Sequence, residues 1–335
     1  MKILAIESTC DETAAAVVEN YGKGVRVIKS VVASSVEMHQ KYGGIVPEVA
    51  AREQIKSIIP VIMEAVHEET IDAVAVSYGP GLMGSLLVGV ETAKALAWAW
   101  NKPLLRVNHL AAHVLANWLG EEVPELPAVG LVVSGGHTDL ILLESLEKWT
   151  WIGGTRDDAA GEAFDKAARI LGLPYPGGPE VDKAAGKVGD EELDKSDHKY
   201  KLPRPLIHEP GLGMSFSGIK AAISRLVSKE DRLSETNRNL IAREFTEAVT
   251  DVLISKTMSA VDIYHPKSVI MAGGVAANNK LRESLKHEVE MTGVKFFVPE
   301  IKFCGDNAAM VGAAAILRPD NSQPDLKPDP GLSIV

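Results

Sequence analysis

The first eighteen residues, MKILAIESTCDETAAAVV (1–18), place a polar turn between two short apolar runs. Apolar runs of this length, bounded by turn residues, are typical of buried β-strands. Residues 3–7 and 14–18 are therefore predicted to be the two strands of a hairpin, and residues 8–13 are predicted to be its turn.

The same arrangement occurs again in the second half of the chain. Residues 129–133 form an apolar run, the turn Ser134-Gly135-Gly136-His137-Thr138 follows, and residues 140–143 form the second run. Residues 71–77 and 268–272 are another matched pair, because each run leads into glycines and then into a helical pattern. Two matched pairs in the same order indicate an internal duplication.

The spacing of apolar residues between these anchors predicts helices. Apolar residues recur every three or four positions across 46–66 and 240–263, so strands and helices alternate and the fold class is α/β. We expect two lobes whose small-residue turns face a central nucleotide cleft. The expected segments are an N-terminal lobe 1–125, a C-terminal lobe 126–318 with a helical insertion at about 155–217, a last helix 305–318 that packs on the N-terminal lobe, and an extended, loosely held tail 319–335.

The composition is that of a globular protein of a reducing compartment. Apolar residues make up 46% and charged residues 24% of the 335 positions, as in ordinary folded domains. Cys10 and Cys304 are too few for a disulfide framework. Acidic residues within the first 13 positions exclude a signal peptide, and two charged residues within 85–100 favour a buried helix over a membrane span. We expect a cytoplasmic protein with no membrane role.

The net charge of -10 argues against indiscriminate binding of nucleic acid, because phosphate neutralisation requires concentrated lysine and arginine. A nucleic-acid partner would need either a basic partner subunit or a local basic strip. The candidate strips are Lys199, Lys201 and Arg204, or Lys220, Arg225 and Lys229.

A metal site is suggested by the stretch NHLAAH at 108–113. His109 and His113 are four residues apart on a predicted helix capped by Asn108, so both imidazoles share one face and can reach one ion. A zinc-peptidase motif would need glutamate directly after the first histidine, and this chain has Leu110 there. Asp306 is the candidate third ligand, and the set would suit Fe(II) or Zn(II). The alternatives are two histidines without a metal and an aspartate that only caps the last helix.

A nucleotide site is suggested by glycine turns and scattered polar residues of the second half. Gly135 and Gly136 let backbone N–H groups approach phosphate oxygens. Asn278 offers a donor and an acceptor to a ribose or base, and a carboxylate can accept ribose hydroxyls. The alternatives are a plain hairpin turn, a helix cap and exposed helical aspartates. The carboxylate candidates are Asp165 and Asp182, and Gly177 and Gly178 form a further glycine turn.

With these motifs in place, the chain resembles the TsaD family throughout its length, a family once described as O-sialoglycoprotein endopeptidases and part of the actin-like ATPase superfamily. The sequence VSGGHT followed by Asp139 resembles its bacterial and mitochondrial branch, since the other branch usually has a metal-contacting tyrosine at position 132. The motifs are IESTCDET at 6–13, HQKYGGIVPEVAAREQ at 39–54, YGPGLMGSLLVG at 78–89, NHLAAH at 108–113, VSGGHT at 133–138, GEAFDKAARILGLPYPGGP at 161–179, SFSGIK at 215–220, GGVAAN at 273–278 and CGDNAAM at 304–310.

The resemblance implies a duplicated fold of the actin, Hsp70 and hexokinase type, related to RNase H. It implies transfer of a threonylcarbamoyl group from threonylcarbamoyl-AMP to the exocyclic amine of an adenosine beside the tRNA anticodon, with release of AMP. One divalent ion, Fe²⁺ or Zn²⁺, is implied at His109, His113 and Asp306. The residues implied to bind the adenylate, whose site ATP, ADP or AMP can also occupy, are Val132, Val133, Ser134, Gly135, Gly136, Asp165, Gly178, Asp182 and Asn278.

The expected partners are a tRNA and two proteins. The resemblance implies a tRNA anticodon loop as substrate, with a TsaB-like paralogue and a TsaE-like ATPase as protein partners. Asp11 and Glu12, in the first hairpin turn, are candidates to accept the proton of the attacking amine, and both side chains could instead order the turn. The rival functions are a small-molecule kinase of the same superfold and a nonenzymatic nucleotide-binding scaffold.

Overall fold

The computed structural model describes residues 1–189, 200–229, 233–321 and 325–335. Two compact units contain them. The first unit comprises Met1–Glu125, Glu144–Trp149 and Pro299–Val335, and the second comprises Leu126–Leu143 and Thr150–Val298. Residues 190–199 of the expected insertion and 322–324 of the expected tail lie outside the described residues.

The first unit contains a five-stranded sheet with the order β3-β2-β1-β4-β5. Strands β1 and β2 form the predicted hairpin, and β4 lies parallel to β1 on its other side. The polar residues 8–11 form a turn because the apolar runs on either side pair with each other. The strands are β1 Lys2–Glu7, β2 Glu12–Tyr21, β3 Gly24–Ser34, β4 Ala73–Gly79 and β5 Leu104–Asn108.

The second unit contains a six-stranded sheet with the order β11-β10-β6-β7-β8-β9. Strands β6 and β7 form the second predicted hairpin, and β10 lies parallel to β6 as β4 does to β1. Both matched pairs of the expected duplication are therefore confirmed. The strands are β6 Ala128–Val133, β7 Thr138–Leu143, β8 Trp149–Thr155, β9 Gly213–Met214, β10 Ser268–Ala272 and β11 Lys295–Phe297.

Helices cover both sheets. Among the described residues the α-helices are α1 Val36–Gln40, α2 Pro47–Val66, α3 Met83–Ala99, α4 His109–Leu115, α5 Ala160–Leu171, α6 Gly177–Ala185, α7 Ser217–Val227, α8 Glu235–Tyr264, α9 Asn279–Met291 and α10 Ala308–Leu317. Short 3₁₀ helices occur at Ala116–Trp118, Gly274–Ala277 and Ile301–Phe303. No helix in these described stretches combines the length and apolar character needed to cross a bilayer.

The core of the first unit lies on both faces of its sheet. Leu4 and Ile6 of β1 pack in one cluster with apolar residues of α2 and α3. The other face is covered by α10, which packs on β1, β2 and α4. Helix α10 approaches β2 closely at Gly312, where a Cβ would lie 2.4 Å from a methyl group of Val18. A helix buried this completely is apolar all round, and its packing brings the residues just before it into the first unit.

Helix α3 is buried along one face only, so the expectation of a buried helix at 85–100 is half correct. Leu86, Val90 and Ala93 are fully buried, whereas Leu87 and Trp98 are 42% and 87% exposed. Apolar side chains therefore also lie on the outer face of this helix.

The described part of the C-terminal tail, residues 319–321 and 325–335, is not loosely held. Leu326 and Ile334 are buried, and the Asp329 N–H donates to the Tyr78 carbonyl oxygen at 2.7 Å. At Gly79 an added Cβ would lie 1.9 Å from the Asp329 carbonyl oxygen. Two separate apolar side chains, Leu326 and Ile334, therefore anchor this segment without any apolar periodicity.

Candidate functional site

Helix α4 places two histidines one turn apart. It begins directly after β5, and its N-cap Asn108 accepts hydrogen bonds at Oδ1 from the N–H groups of Leu110 (2.9 Å) and Ala111 (3.1 Å). The ring centroids of His109 and His113 are 4.7 Å apart, and both side chains are buried. The predicted cap and the predicted shared face are both present.

Asp306 lies beside both imidazoles, although it is almost 200 residues away in sequence. Its Oδ1 is 3.6 Å from Nε2 of His109 and 3.2 Å from Nε2 of His113. It is not the cap of α10, since Asn307 accepts the Met310 N–H at 3.1 Å and occupies that position. One ligand atom from each of the three residues lies within 4.8 Å of the other two, so the group could hold a metal ion.

A buried carboxylate behind His109 orients its ring. Oε2 of Glu7 lies 3.1 Å from Nδ1 of His109. The Ser77 hydroxyl donates to the same oxygen at 2.6 Å, and the Thr9 N–H donates to Oε1 at 2.7 Å. A carboxylate on one imidazole nitrogen fixes the tautomer and leaves the other nitrogen free for a metal. Sequence reasoning missed Glu7 and Ser77 in this role; the available signal was a glutamate at the end of an apolar strand.

The donor set fits a divalent cation. Burial lowers the pKa of His109, but the carboxylates of Glu7 and Asp306 outweigh it and raise this pKa to about 9. Burial raises the pKa of Asp306, but His109 and His113 outweigh it and lower this pKa to about 2. The two carboxylates therefore favour positive charge at this position, which a bound cation would supply. Two imidazole nitrogens and one carboxylate oxygen match the ligand preferences of Zn²⁺ and Fe²⁺.

The turn between β1 and β2 is held by side chains from α2 and α3. The Gln54 amide donates to the carbonyl oxygens of Cys10 and Glu12, each at 3.0 Å, and to that of Ser8 at 3.3 Å. The Ser85 hydroxyl donates to the Cys10 carbonyl oxygen at 2.9 Å. Asp11 and Glu12 add to this framework, since the Ser35 hydroxyl donates to the Asp11 carbonyl oxygen at 2.8 Å and the Ser34 hydroxyl donates to Oε1 of Glu12 at 3.0 Å.

Both acidic candidates of this turn have raised pKa values. Burial raises the pKa of Glu12 to about 7 and outweighs the hydrogen bond from Ser34. Burial and the charge of Asp306 raise the pKa of Asp11. Oε2 of Glu12 is buried and has no hydrogen-bond partner among the described residues. A carboxylate with a pKa near neutrality and a free oxygen is suited to accept a proton.

In the second unit, the glycine turn lies against the start of α5. The Gly161 N–H donates to the Ser134 carbonyl oxygen at 3.2 Å, and the Ala160 N–H donates to the Thr138 hydroxyl at 2.9 Å. A Cβ at Gly161 would lie 2.5 Å from the Ser134 carbonyl oxygen. Gly135 and Gly136 are exposed, and a Cβ added at either would meet no atom within 4 Å. Backbone N–H groups of such a glycine turn can form a small nest that binds phosphate.

Three further candidates of the second unit, Asp165, Asp182 and Asn278, each form a hydrogen bond within that unit. Oδ1 of Asp165 accepts the Gly177 N–H at 2.8 Å, and Oδ1 of Asp182 accepts from the Asn278 amide at 2.9 Å. Asn278 also caps α9 by accepting the Leu281 N–H. Asp165 and Asn278 therefore have structural partners, and Asp182 links α6 to the turn after β10.

The remaining candidates differ in what they can present to a ligand. Val132 and Val133 have fully buried side chains, so only their backbone can contact one. At Gly178 a Cβ would meet nothing within 4 Å. Gly273 has a φ of 93°, and a Cβ there would lie 2.4 Å from the Val133 carbonyl oxygen, so glycine is required for this contact. The turn after β10 therefore lies against the end of β6, directly before the glycine turn at Ser134 to Gly136.

One of the two basic strips is weakened by the structure. Arg204 is paired with Glu244 and, at 2.9 Å, with Asp251, so its guanidinium is already engaged. Lys199 lies outside the described residues. Lys220 and Ser217 line a surface cavity of about 450 Å³ beside α5 and α7.

Comparison with known proteins identifies relatives over nearly the whole length. The model of the family described as "TsaD: tRNA N6-adenosine threonylcarbamoyltransferase" matches residues 26–313. The tRNA N6-adenosine threonylcarbamoyltransferase of Moorella thermoacetica is 47% identical over 319 residues, covering 93% of this chain and 90% of the relative. The protein of the same name from Geobacillus thermodenitrificans is 46% identical over 343 residues, covering 99% and 97%.

Solved structures show the same fold at low identity. Full-length HypF in its phosphate- and nucleotide-bound form matches with a TM-score of 0.61 and 12% identity, covering 94% of this chain and 46% of HypF. The activator of the 2-hydroxyisocaproyl-CoA dehydratase from Clostridium difficile, with bound ADPNP, matches with a TM-score of 0.52 and 15% identity, covering 95% and 94%. The expected duplicated, actin-like α/β fold is confirmed.

Proposed function

The chain belongs to the TsaD family of tRNA N6-adenosine threonylcarbamoyltransferases, and we propose how the candidate residues of its two units serve the transfer. Its activity is the transfer of a threonylcarbamoyl group to N6 of an adenosine in tRNA. The family match over residues 26–313 is the observation that carries this function. The donor in the proposal is threonylcarbamoyl-AMP, and the acceptor is the adenosine beside the anticodon.

The reaction exchanges one bond at the carbamoyl carbon. The N6 amine attacks this carbon, a C–N bond forms, the bond from the carbon to the phosphate oxygen breaks, and AMP leaves with the bonding electrons. The amine must also lose a proton. The mixed anhydride already has a good leaving group, so the protein chiefly orients the reactants and stabilises developing negative charge.

His109, His113 and Asp306 would hold a divalent cation, with Glu7 fixing the ring of His109. The convergence of their ligand atoms within 4.8 Å supports this. A cation held by these residues would supply a Lewis acid and would help to orient the threonylcarbamoyl donor. Hydrolysis would waste the donor. The site must therefore orient the donor without activating a water molecule.

Asp11 and Glu12 are the candidates to accept the proton of the attacking amine. Glu12 is favoured, because its pKa of about 7 lies near the working range of a general base. In single-turnover transfer, Glu12→Gln should slow the reaction more than Asp11→Asn. Rates within a few-fold of the parent for both variants would remove both residues from the mechanism.

The second unit would bind the adenylate part of the donor. Backbone N–H groups of Gly135 and Gly136 would take the phosphate, since these two glycines are exposed and carry no side chain. The Ser134 N–H is already donated to the His137 carbonyl oxygen at 2.8 Å and holds the turn. Asp182 and Asn278, already hydrogen-bonded to each other, would meet the ribose and base. ATP, ADP or AMP would compete for the same place.

The rival functions are not favoured. Relatives that are 46% to 49% identical carry the transferase name, whereas a small-molecule kinase or a scaffold would not require His109, His113 and Asp306 as a set. Peptidase activity is not favoured either, because this chain has Leu110 where a zinc-peptidase motif requires glutamate.

A TsaB-like paralogue is proposed to bind the outer face of α2 and α3, which pack against each other. Large apolar side chains that stand in water on two neighbouring helices are typical of a protein interface. A TsaE-like ATPase is proposed to act on the resulting pair. The exposed side chains are Ile55 (64%), Ile59 (51%), Met63 (69%), Met83 (50%), Leu87 (42%) and Trp98 (87%).

This surface is tested by sedimentation of the protein mixed with the paralogue. Ile59→Lys and Met63→Lys should weaken the complex, while Ile263→Lys, which changes a 56% exposed residue of α8, should leave it intact. Equal complex formation by all three variants would place the partner elsewhere.

The activity is tested by incubating the purified protein with threonylcarbamoyl-AMP and unmodified tRNA, with and without the two partners. Mass spectrometry of the nucleosides should show threonylcarbamoyladenosine, with AMP formed in equal amount. Absence of the modified nucleoside under every condition would contradict the proposed donor and acceptor.

A further inference from the structure

The last residues of the chain contact the helix that carries both histidines. The Ser333 carbonyl oxygen accepts a hydrogen bond from Nδ2 of Asn108 at 2.6 Å. These residues are 225 positions apart, so the contact depends on the course of the tail. It occurs one residue before His109.

Asn108 uses both ends of its amide. Oδ1 accepts the N–H groups of Leu110 and Ala111 and caps α4, while Nδ2 reaches Ser333. A planar amide held at both ends has one orientation, so the tail contact adds to the two cap bonds in fixing where the cap oxygen points. The cap fixes the first turn of α4, which contains His109. His113 follows one helical turn later.

The tail is held firmly enough to act in this way. Asp329 is bonded to Tyr78 at the end of β4, and its carbonyl oxygen leaves no room for a Cβ at Gly79. Ile334, one residue beyond Ser333, is only 8% exposed. The segment around Ser333 is therefore anchored on both sides.

We propose that the C-terminal tail positions the metal centre, with the Ser333 carbonyl oxygen fixing Asn108 and Asn108 fixing the two histidines. Asn108 and the tail are positioning elements, since neither belongs to the three residues that could hold the ion. The proposal rests on the proposed metal site. Partners that orient metal ligands commonly change affinity about 10- to 100-fold when they are removed.

Two variants break the same bond from opposite sides. Asn108→Ser keeps a preferred N-cap oxygen but is too short and lacks the N–H donor for Ser333. Deletion of residues 332–335 keeps Asn108 and removes its acceptor. Ser234→Ala is the control, because it removes a cap bond to Asn237 in α8, a helix of the second unit.

The measurements are the Zn²⁺ dissociation constant, by competition with a chromophoric chelator, and the absorption spectrum of the Co²⁺-loaded protein. We expect both variants to bind Zn²⁺ about tenfold more weakly and to show an altered Co²⁺ spectrum. The combined variant should match the single ones, since one bond is lost in each, and Ser234→Ala should match the parent.

Parent-like affinity and spectrum in Asn108→Ser would overturn the proposal, and this variant decides if the shortened chain does not fold. If the parent itself fails to bind one equivalent of Zn²⁺ or Co²⁺, the proposed metal site fails instead. The two failures are therefore distinguishable.

Discussion

The carboxylate of Glu7 lies 3.1 Å from Nδ1 of His109, across 102 residues of sequence. Glu7 ends the first strand, and His109 begins the helix after β5. Since β4 lies between β1 and β5 in the sheet, the contact passes over the end of β4, where Ser77 adds its own hydrogen bond.

Glu7→Gln should weaken metal binding. The change preserves size but removes the charge that orients His109, and it places an amide N–H among groups that donate to Glu7. We expect a roughly 10- to 100-fold higher dissociation constant for Zn²⁺, measured by chelator competition. Glu19→Gln, which changes an acid paired with Arg26 in the same unit, is the control. Unchanged affinity in Glu7→Gln would show that Glu7 is only a buried structural acid.

Asp306→Asn should abolish stoichiometric metal binding and reduce transfer by at least roughly 100-fold, because a metal ion supplies several kcal/mol of charge stabilisation. Metal content is measured by plasma mass spectrometry, and transfer by nucleoside analysis. Asp320→Asn, which alters an exposed acid paired with Arg106, should behave as the parent. Full metal content in Asp306→Asn would assign the third ligand to another residue.

Glu12→Gln should change the pH dependence of stability. The pKa of Glu12 is about 7 in the folded protein, against an ordinary value of 4.5, so the folded state retains a proton that the unfolded state releases. The contribution of Glu12 to stability is therefore complete below pH 4.5 and is lost as the pH rises through 7. Relative to the parent, the variant should gain stability across this window and keep a constant gain above it.

The free energy of unfolding of both proteins, from urea titrations between pH 4 and 8 at one metal concentration, checks this sign. A difference that does not vary with pH would show that Glu12 titrates normally. Glu37→Gln, which changes an acid on α1, is the control.

Gly161→Ala should disturb the glycine turn without unfolding the second unit. A Cβ at position 161 would lie 2.5 Å from the Ser134 carbonyl oxygen and 2.8 Å from the Gly135 nitrogen, so the turn must move. We expect weaker AMP binding by calorimetry and a higher KM for the donor. Gly189→Ala, where a Cβ would meet nothing within 4 Å, is the control. Parent-like AMP affinity in Gly161→Ala would separate the turn from the nucleotide.

Much of the fold was predictable because it depends on local periodicity. The alternation of apolar runs and turns predicted both hairpins, and the spacing of apolar residues predicted α2 and α8. The outer face of α3 was not predicted, because apolar residues all round a helix do not reveal which side remains exposed. The packed tail was missed for the opposite reason, since isolated apolar residues such as Leu326 give no periodic signal.

The candidate metal site likewise has a local part that was predictable and a long-range part that was not. The amino-acid sequence was enough to predict that His109 and His113 share a helix face and that Asn108 caps this helix, because both follow from helix geometry over a few residues. The folded chain was needed to show that Asp306 lies beside them, that Glu7 orients His109 and that Ser333 holds Asn108. These contacts join segments far apart in the chain, and they exist because α10 packs on β1 and β2 and because the tail is anchored at the end of β4.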